Sequence, residues 1–201
     1  MQHLDNDAIN DIPERIQTLF MRHLLSLADF IPDYSLFKNT MDKYTGVWLS
    51  DFICGSIFVS SKYLDATLID PRILLAYKGI ADGVKTFNES KCGYKIVGVE
   101  FNKFIDCTVF EHCDDMNFDD RRIRVFMPCG INASVFKSEG IISKYNHTVA
   151  FDCTKPHSFT NSSINCALVI DLLPDNVSSK EELHYLLNPL YYCLEKYNGN
   201  I

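Results

Sequence analysis

Three residues in the second half of the chain carry side chains suited to one divalent metal ion. His112 and Asp114 stand two apart in Val109-Phe110-Glu111-His112-Cys113-Asp114. At the end of a strand, that spacing sends both side chains off the same face. A neutral imidazole and a carboxylate placed this way can reach one ion. A further histidine, His157, follows 45 residues on, in Phe151-Asp152-Cys153-Thr154-Lys155-Pro156-His157. Two histidines and one carboxylate on one face of an ion leave three positions open, as in the non-haem Fe(II) sites that admit a cosubstrate and dioxygen. His-x-Asp also arises because both residue types favour strand ends and turns, so the pattern alone is weak.

The elements around these residues separate the two readings. Residues 11–30 place Ile12, Ile16, Leu19, Phe20, Leu24 and Leu27 at helical intervals, and Ile31-Pro32-Asp33 ends that helix. Asp70-Pro71 reads as an N-cap followed by a proline at the first helical position, opening a second helix. From about Lys95 the texture becomes short β-rich runs divided by polar turns: YKIVGVEF, CTVFEH, RIRVFM, ASVF, HTVAF and CALVIDLL. Ser178-Ser179-Lys180-Glu181 resembles a capping box for a C-terminal helix over 178–197. The expectation is one domain over 1–201: a helix-rich part (1–90), a β core (94–173) and the terminal helix. Strands so closely spaced predict a mainly β, α+β protein built as a small antiparallel sandwich or barrel.

Composition narrows the function. Nineteen Lys+Arg against twenty-six Asp+Glu give a net charge of −7, which argues against nucleic-acid binding. No apolar run reaches the roughly 20 residues of a membrane span. The opening MQHLDNDAIN holds no apolar signal segment, so the eight cysteines are expected as reduced thiols in a cytoplasmic protein. No Cys-x-x-Cys pair supports a zinc knuckle or a thioredoxin-type site. The Asn-x-Ser/Thr sequons at Asn88, Asn132, Asn146, Asn161 and Asn176 read as chance occurrences.

In the run RRIRVFM, Arg122, Arg124 and Phe126 share one strand face, while Ile123, Val125 and Met127 share the other. The aliphatic face suits packing against helices. Arginines on the inner face call for an anionic partner. For Arg121 and Arg122, the nearby Asp114, Asp115, Asp119 and Asp120 are an ordinary alternative. His147, alternating with Val149 and Phe151, is expected as a structural histidine, and His3, His23 and His184 as solvent-facing. Trp48 is a candidate for the wall of a substrate pocket, with Arg121 a second.

Taken in order, VGVEFNKFIDCTVFEHCD, RIRVFMP, HTVAFDCTKPH and CALVIDLL resemble the aspartyl/asparaginyl β-hydroxylase branch of the Fe(II)/2-oxoglutarate oxygenases. The likeness spans roughly Tyr94 to Leu173. It implies a double-stranded β-helix, a jelly-roll barrel of cupin type, with His112 and His157 as iron ligands. Asp114 departs from that branch, which usually carries glycine there, and restores the carboxylate of the wider superfamily. Arg124 matches the arginine that contacts 2-oxoglutarate. The arginine usual about ten residues after the second histidine is missing, and its position falls on Asn165. Arg122 or Arg124 would then take over that contact, the cosubstrate would differ, or turnover would be lost. The resemblance implies a hydroxylase using Fe(II), 2-oxoglutarate and dioxygen on a free amino acid or small metabolite, or on a peptide side chain. Two rivals stand beside it: a non-catalytic cupin-like binding or regulatory domain, and a metal-dependent cupin enzyme that does not use 2-oxoglutarate.

Overall fold

Alternation along the strands sorts the side chains onto two faces, and the fold follows from covering both. In a computed structural model, the residues described are 6–30, 53–54, 57–60, 71–105, 108–114, 122–129, 135–160 and 166–177. Trp48, Arg121, Asn165 and the helix expected over 178–197 lie outside them. The chain is mostly β. Among the described residues its helices are α1 (Asn6–Asn10), α2 (Ile12–Phe30) and α3 (Pro71–Glu89). The strands are β1 (Ile53–Cys54), β2 (Ile57–Ser60), β3 (Tyr94–Ile105), β4 (Thr108–His112) and β5 (Ile123–Cys129), then β6 (Val135–Ser138), β7 (Ile141–Tyr145), β8 (Thr148–Phe151), β9 (His157–Thr160) and β10 (Cys166–Pro174). They form two antiparallel sheets, ordered β1-β4-β9-β6 and β2-β3-β10-β5-β8-β7. No helix among the described residues is long and apolar enough to cross a membrane.

The outer face of the larger sheet is covered by helices. Ile12, Ile16, Phe20, Leu24 and Leu27 of α2 join Ile80, Val84 and Phe87 of α3 over Ile123, Val125 and Met127 of β5 and Leu168, Ile170 and Leu172 of β10. The other face turns toward the smaller sheet. There Phe126, Phe151 and Ala167 meet Phe159, with Val109 and Phe136 packed against them. Strand β3 does not keep a strict period of two, because Asp171 pairs with Gly98 but Leu172 with Ile96. The extra residue, Val97, forms a bulge, so Ile96 and Val99 both reach the helix side while Val97 joins Leu173 and Val177. Asn88 hooks the end of α3 to β3: its amide nitrogen donates to the Ile96 carbonyl (3.1 Å), and its oxygen accepts from the Ile96 N–H (2.7 Å).

Two histidines differ from expectation. His147 is an exposed member of the Asn146-His147 turn joining β7 and β8, not an inward strand residue. Asn146 there adopts φ 51°, a left-handed conformation that asparagine tolerates, and this closes the hairpin one residue later than alternation suggested. His23 is half-buried against α3 and not simply solvent-facing, because Gly79 leaves room for its ring. Strands β7 and β9 add to the runs expected from the sequence: IISKY is largely exposed and lacks an apolar face, and HSFT follows directly on Lys155-Pro156.

Glycines set how closely α2 approaches α3. A Cβ on Gly83 would stand 2.6 Å from Phe20 Cε1, and one on Gly79 would stand 2.0 Å from His23 Cε1. Phe20 is fully buried, whereas the half-buried His23 ring can swing toward solvent. Alanine gains about 1 kcal/mol of helix propensity over glycine, and overpacking costs about 1–3 kcal/mol. Gly83→Ala is therefore expected to lower stability in urea denaturation, and Gly79→Ala to leave it near the wild-type value. A Gly83→Ala protein more stable than wild type would contradict this packing.

Candidate metal centre

The three residues picked out by type and spacing come together at one end of the space between the sheets. His112 ends β4, His157 begins β9, and the two are direct cross-strand partners. Their ring centroids are 4.4 Å apart. Asp114 lies just past β4 and is tied to the neighbouring turn by its backbone N–H, which donates to the Cys153 carbonyl (3.0 Å). That turn is built by Asp152, whose Oδ1 accepts from the Thr154 N–H (2.9 Å) and the Thr154 hydroxyl (2.6 Å). The outcome is a group of one ligand atom each from His112, Asp114 and His157, all within 4.8 Å of one another.

Both rings are oriented by the backbone. His112 Nδ1 lies 2.8 Å from the Phe110 carbonyl and His157 Nδ1 lies 2.9 Å from the Lys155 carbonyl. A carbonyl oxygen only accepts, so each Nδ1 carries the proton, and in a neutral ring Nε2 then presents a lone pair. The two Nε2 atoms are each 3.9 Å from an oxygen of Asp114, His112 facing Oδ1 and His157 facing Oδ2. Two donors at about 2.1 Å from an ion stand at most about 4.2 Å apart. Side-chain adjustments of roughly 1 Å or less would thus let all three bind one ion, a donor set that suits divalent iron and its neighbours. Backbone carbonyls holding Nδ1–H are the usual outer support of histidine ligands.

Behind Asp114 lies a buried charge cluster. Arg124 donates from NH1 to Asp114 Oδ2 (2.6 Å), and from Nε and NH2 to Asp171 Oδ1 (2.9 Å) and Oδ2 (3.2 Å). The pairing is set by strand register, in which Asp171 of β10 sits directly opposite Arg124 of β5. Arg122, 3% exposed, places NH1 3.7 Å from Asp171 Oδ1 and donates from NH2 to Cys153 Sγ (3.3 Å). Its contacts among the described residues include Asp171 and Cys153, while Asp115, Asp119 and Asp120 lie outside those residues. Burial opposes the Arg124 charge, but Asp171 and then Asp114 outweigh it and hold the guanidinium firmly protonated. Burial pushes the Cys153 thiol up to about 11, so it stays neutral and acts as a packing partner. Cys92, Cys113 and Cys153 are free thiols, and Cys113 is exposed between the two candidate ligands.

Asp171 is the residue that sequence reasoning passed over. Its signal was a single carboxylate within the apolar run CALVIDLL. A buried acid there, 2% exposed, is tolerated because two guanidinium groups face it. On the other side of His157, the rings of Phe151 (5.0 Å) and Phe136 (6.4 Å) form an apolar wall.

Burial lowers the His157 pKa below its ordinary value, against the pull of the Lys155 carbonyl and Asp114. In the unfolded chain the ring titrates near 6.5. Above that pH both states are neutral and the stability is full. Below it the unfolded chain takes the proton first, so stability falls with pH, by at most about 1.4 kcal/mol per pH unit from this residue. Urea denaturation with chelator present should show that slope between pH 6.5 and 5.5 in wild type and lose it in His157→Gln. Equal slopes in the two proteins would contradict a buried, neutral His157.

No protein-family model matches the chain, and no curated protein matches it either.

Proposed function

We propose that the protein is an Fe(II)- and 2-oxoglutarate-dependent hydroxylase acting on a free amino acid or small metabolite. The observation that carries this reading is the convergence of His112, Asp114 and His157 donor atoms within 4.8 Å, with both imidazoles held in the ligating tautomer. The resemblance to the aspartyl/asparaginyl β-hydroxylase branch supports it, as does a two-sheet arrangement compatible with a cupin-type jelly roll. His112, Asp114 and His157 would hold the metal. When bound, Fe(II) with 2-oxoglutarate and dioxygen supplies the oxidising power for hydroxylating a carbon, with release of succinate and carbon dioxide.

The chain's own contribution is orientation, charge and dryness. Arg122 and Arg124 are balanced by Asp114 and Asp171, so the cluster is neutral as it stands. A divalent metal adds two positive charges to this weakly screened region, and a dicarboxylate restores the balance. Phe136 and Phe151 keep water from the His157 side, while His112 and Asp114, 21% and 17% exposed, leave access from the other. Excluding water there strengthens electrostatic contacts and protects a reactive centre.

A second reading has its own observation. Arg124 already satisfies two carboxylates, and Phe126, Phe136, Phe151 and Phe159 pack together between the sheets. That favours a metal-dependent enzyme of the same architecture that does not take 2-oxoglutarate. One assay separates the two. Purified protein supplied with Fe(II), 2-oxoglutarate and air is expected to release succinate, and His112→Ala to release at least about a hundredfold less. Iron binding without any 2-oxoglutarate binding or succinate would contradict the hydroxylase and support the second reading.

A further inference from the structure

We propose that Arg124, gripped by Asp171, is a positioning residue that makes Asp114 a one-oxygen metal ligand. This rests on the metal-binding reading of His112, Asp114 and His157. Three donors of Arg124 are committed in two directions: NH1 to Asp114 Oδ2, and Nε and NH2 to the two oxygens of Asp171. The fork onto Asp171 fixes the guanidinium plane, because a bidentate contact leaves it little freedom to rotate. Asp171 is itself 2% exposed on β10, inside the larger sheet, and Arg122 also approaches its Oδ1, at 3.7 Å. NH1 therefore meets Oδ2 at a fixed point. Oδ2 also lies 3.9 Å from His157 Nε2, but the oxygen that can turn to an ion without sharing the guanidinium is Oδ1, which faces His112 Nε2.

This gives Arg124 to the ligand and not to a cosubstrate carboxylate. It also explains why an acid is placed deep in β10: with Asp171 absent, Arg124 would be drawn wholly to Asp114 and compete with the metal for both of its oxygens. A purely electrostatic role makes the opposite prediction. Removing a positive charge close to a cation site should tighten cation binding, whereas losing the support of a ligand should weaken it by about tenfold to a hundredfold.

The test is titration of the chelator-treated full chain with Co(II), read by its visible absorption. Arg124→Lys keeps the charge but cannot reach both carboxylates at once, and Arg124→Gln removes the charge. Both are expected to weaken Co(II) binding about tenfold to a hundredfold and to change the absorption envelope. In an Asp114→Ala background, Arg124→Lys should have no further effect, since the two residues act through one interaction. Should Arg124→Gln fail to fold, Arg124→Lys carries the test. Wild-type-like binding by Arg124→Lys, or tighter binding by Arg124→Gln, would overturn the positioning role while leaving the metal site standing. No Co(II) binding by the wild-type chain would overturn the metal reading, and this proposal with it.

Discussion

The contact on which the candidate site depends is the pairing of Arg124 with Asp171 inside the larger sheet. Each group alone would be costly where it lies, since an unpaired buried charge costs several kcal/mol. Held together and joined to Asp114 and Arg122, they form a neutral cluster. Its outer member, Asp114, is the part that reaches the two histidines. The fold must therefore keep β5 and β10 in one register. A slip by one residue would turn Arg124 and Asp171 toward the helices and bring Ile123 or Val125 to the inner face.

That register is held from both sides. Outside, Val125, Met127, Leu168 and Ile170 lock into the helix-covered core, where burying each such side chain contributes about 1.5–3 kcal/mol. Inside, Phe126 and Ala167 pack toward the smaller sheet, which carries His112 and His157 on adjacent strands. Each sheet therefore supplies one part of the site. The smaller gives two imidazoles paired across β4 and β9, and the larger gives the charges that hold the carboxylate. The turn at Asp152 ties them, because its backbone anchors Asp114 while leading directly into His157.

Much of this was legible in the residue order. The buried stripe of α2 and the two faces of β5 follow from local period, whereas the expectation that His-x-Asp meets His157 comes from the order of the segments and the family resemblance. What was not legible depends on pairing at a distance. Its position on an inner strand face makes Arg124 a candidate for an external anion, yet a partner stands 47 residues away on β10, a relation that only strand register reveals. The bulge at Val97 breaks the period of β3, so its two faces could not be read from alternation. Strand β9, HSFT, has a single large apolar residue and so shows no alternation, and the turn at Asn146 places His147 outside its strand. The half-burial of His23 depends on Gly79 of another helix.

The central claim is that one divalent ion binds between His112, Asp114 and His157. Anomalous X-ray diffraction at the cobalt edge, from crystals grown with Co(II), tests it most directly. The account predicts a single strong peak at about 2.0–2.2 Å from His112 Nε2, His157 Nε2 and one oxygen of Asp114, with Arg124 still on the other oxygen. Diffraction that shows no peak between these residues, with the side chains ordered as described, would contradict it.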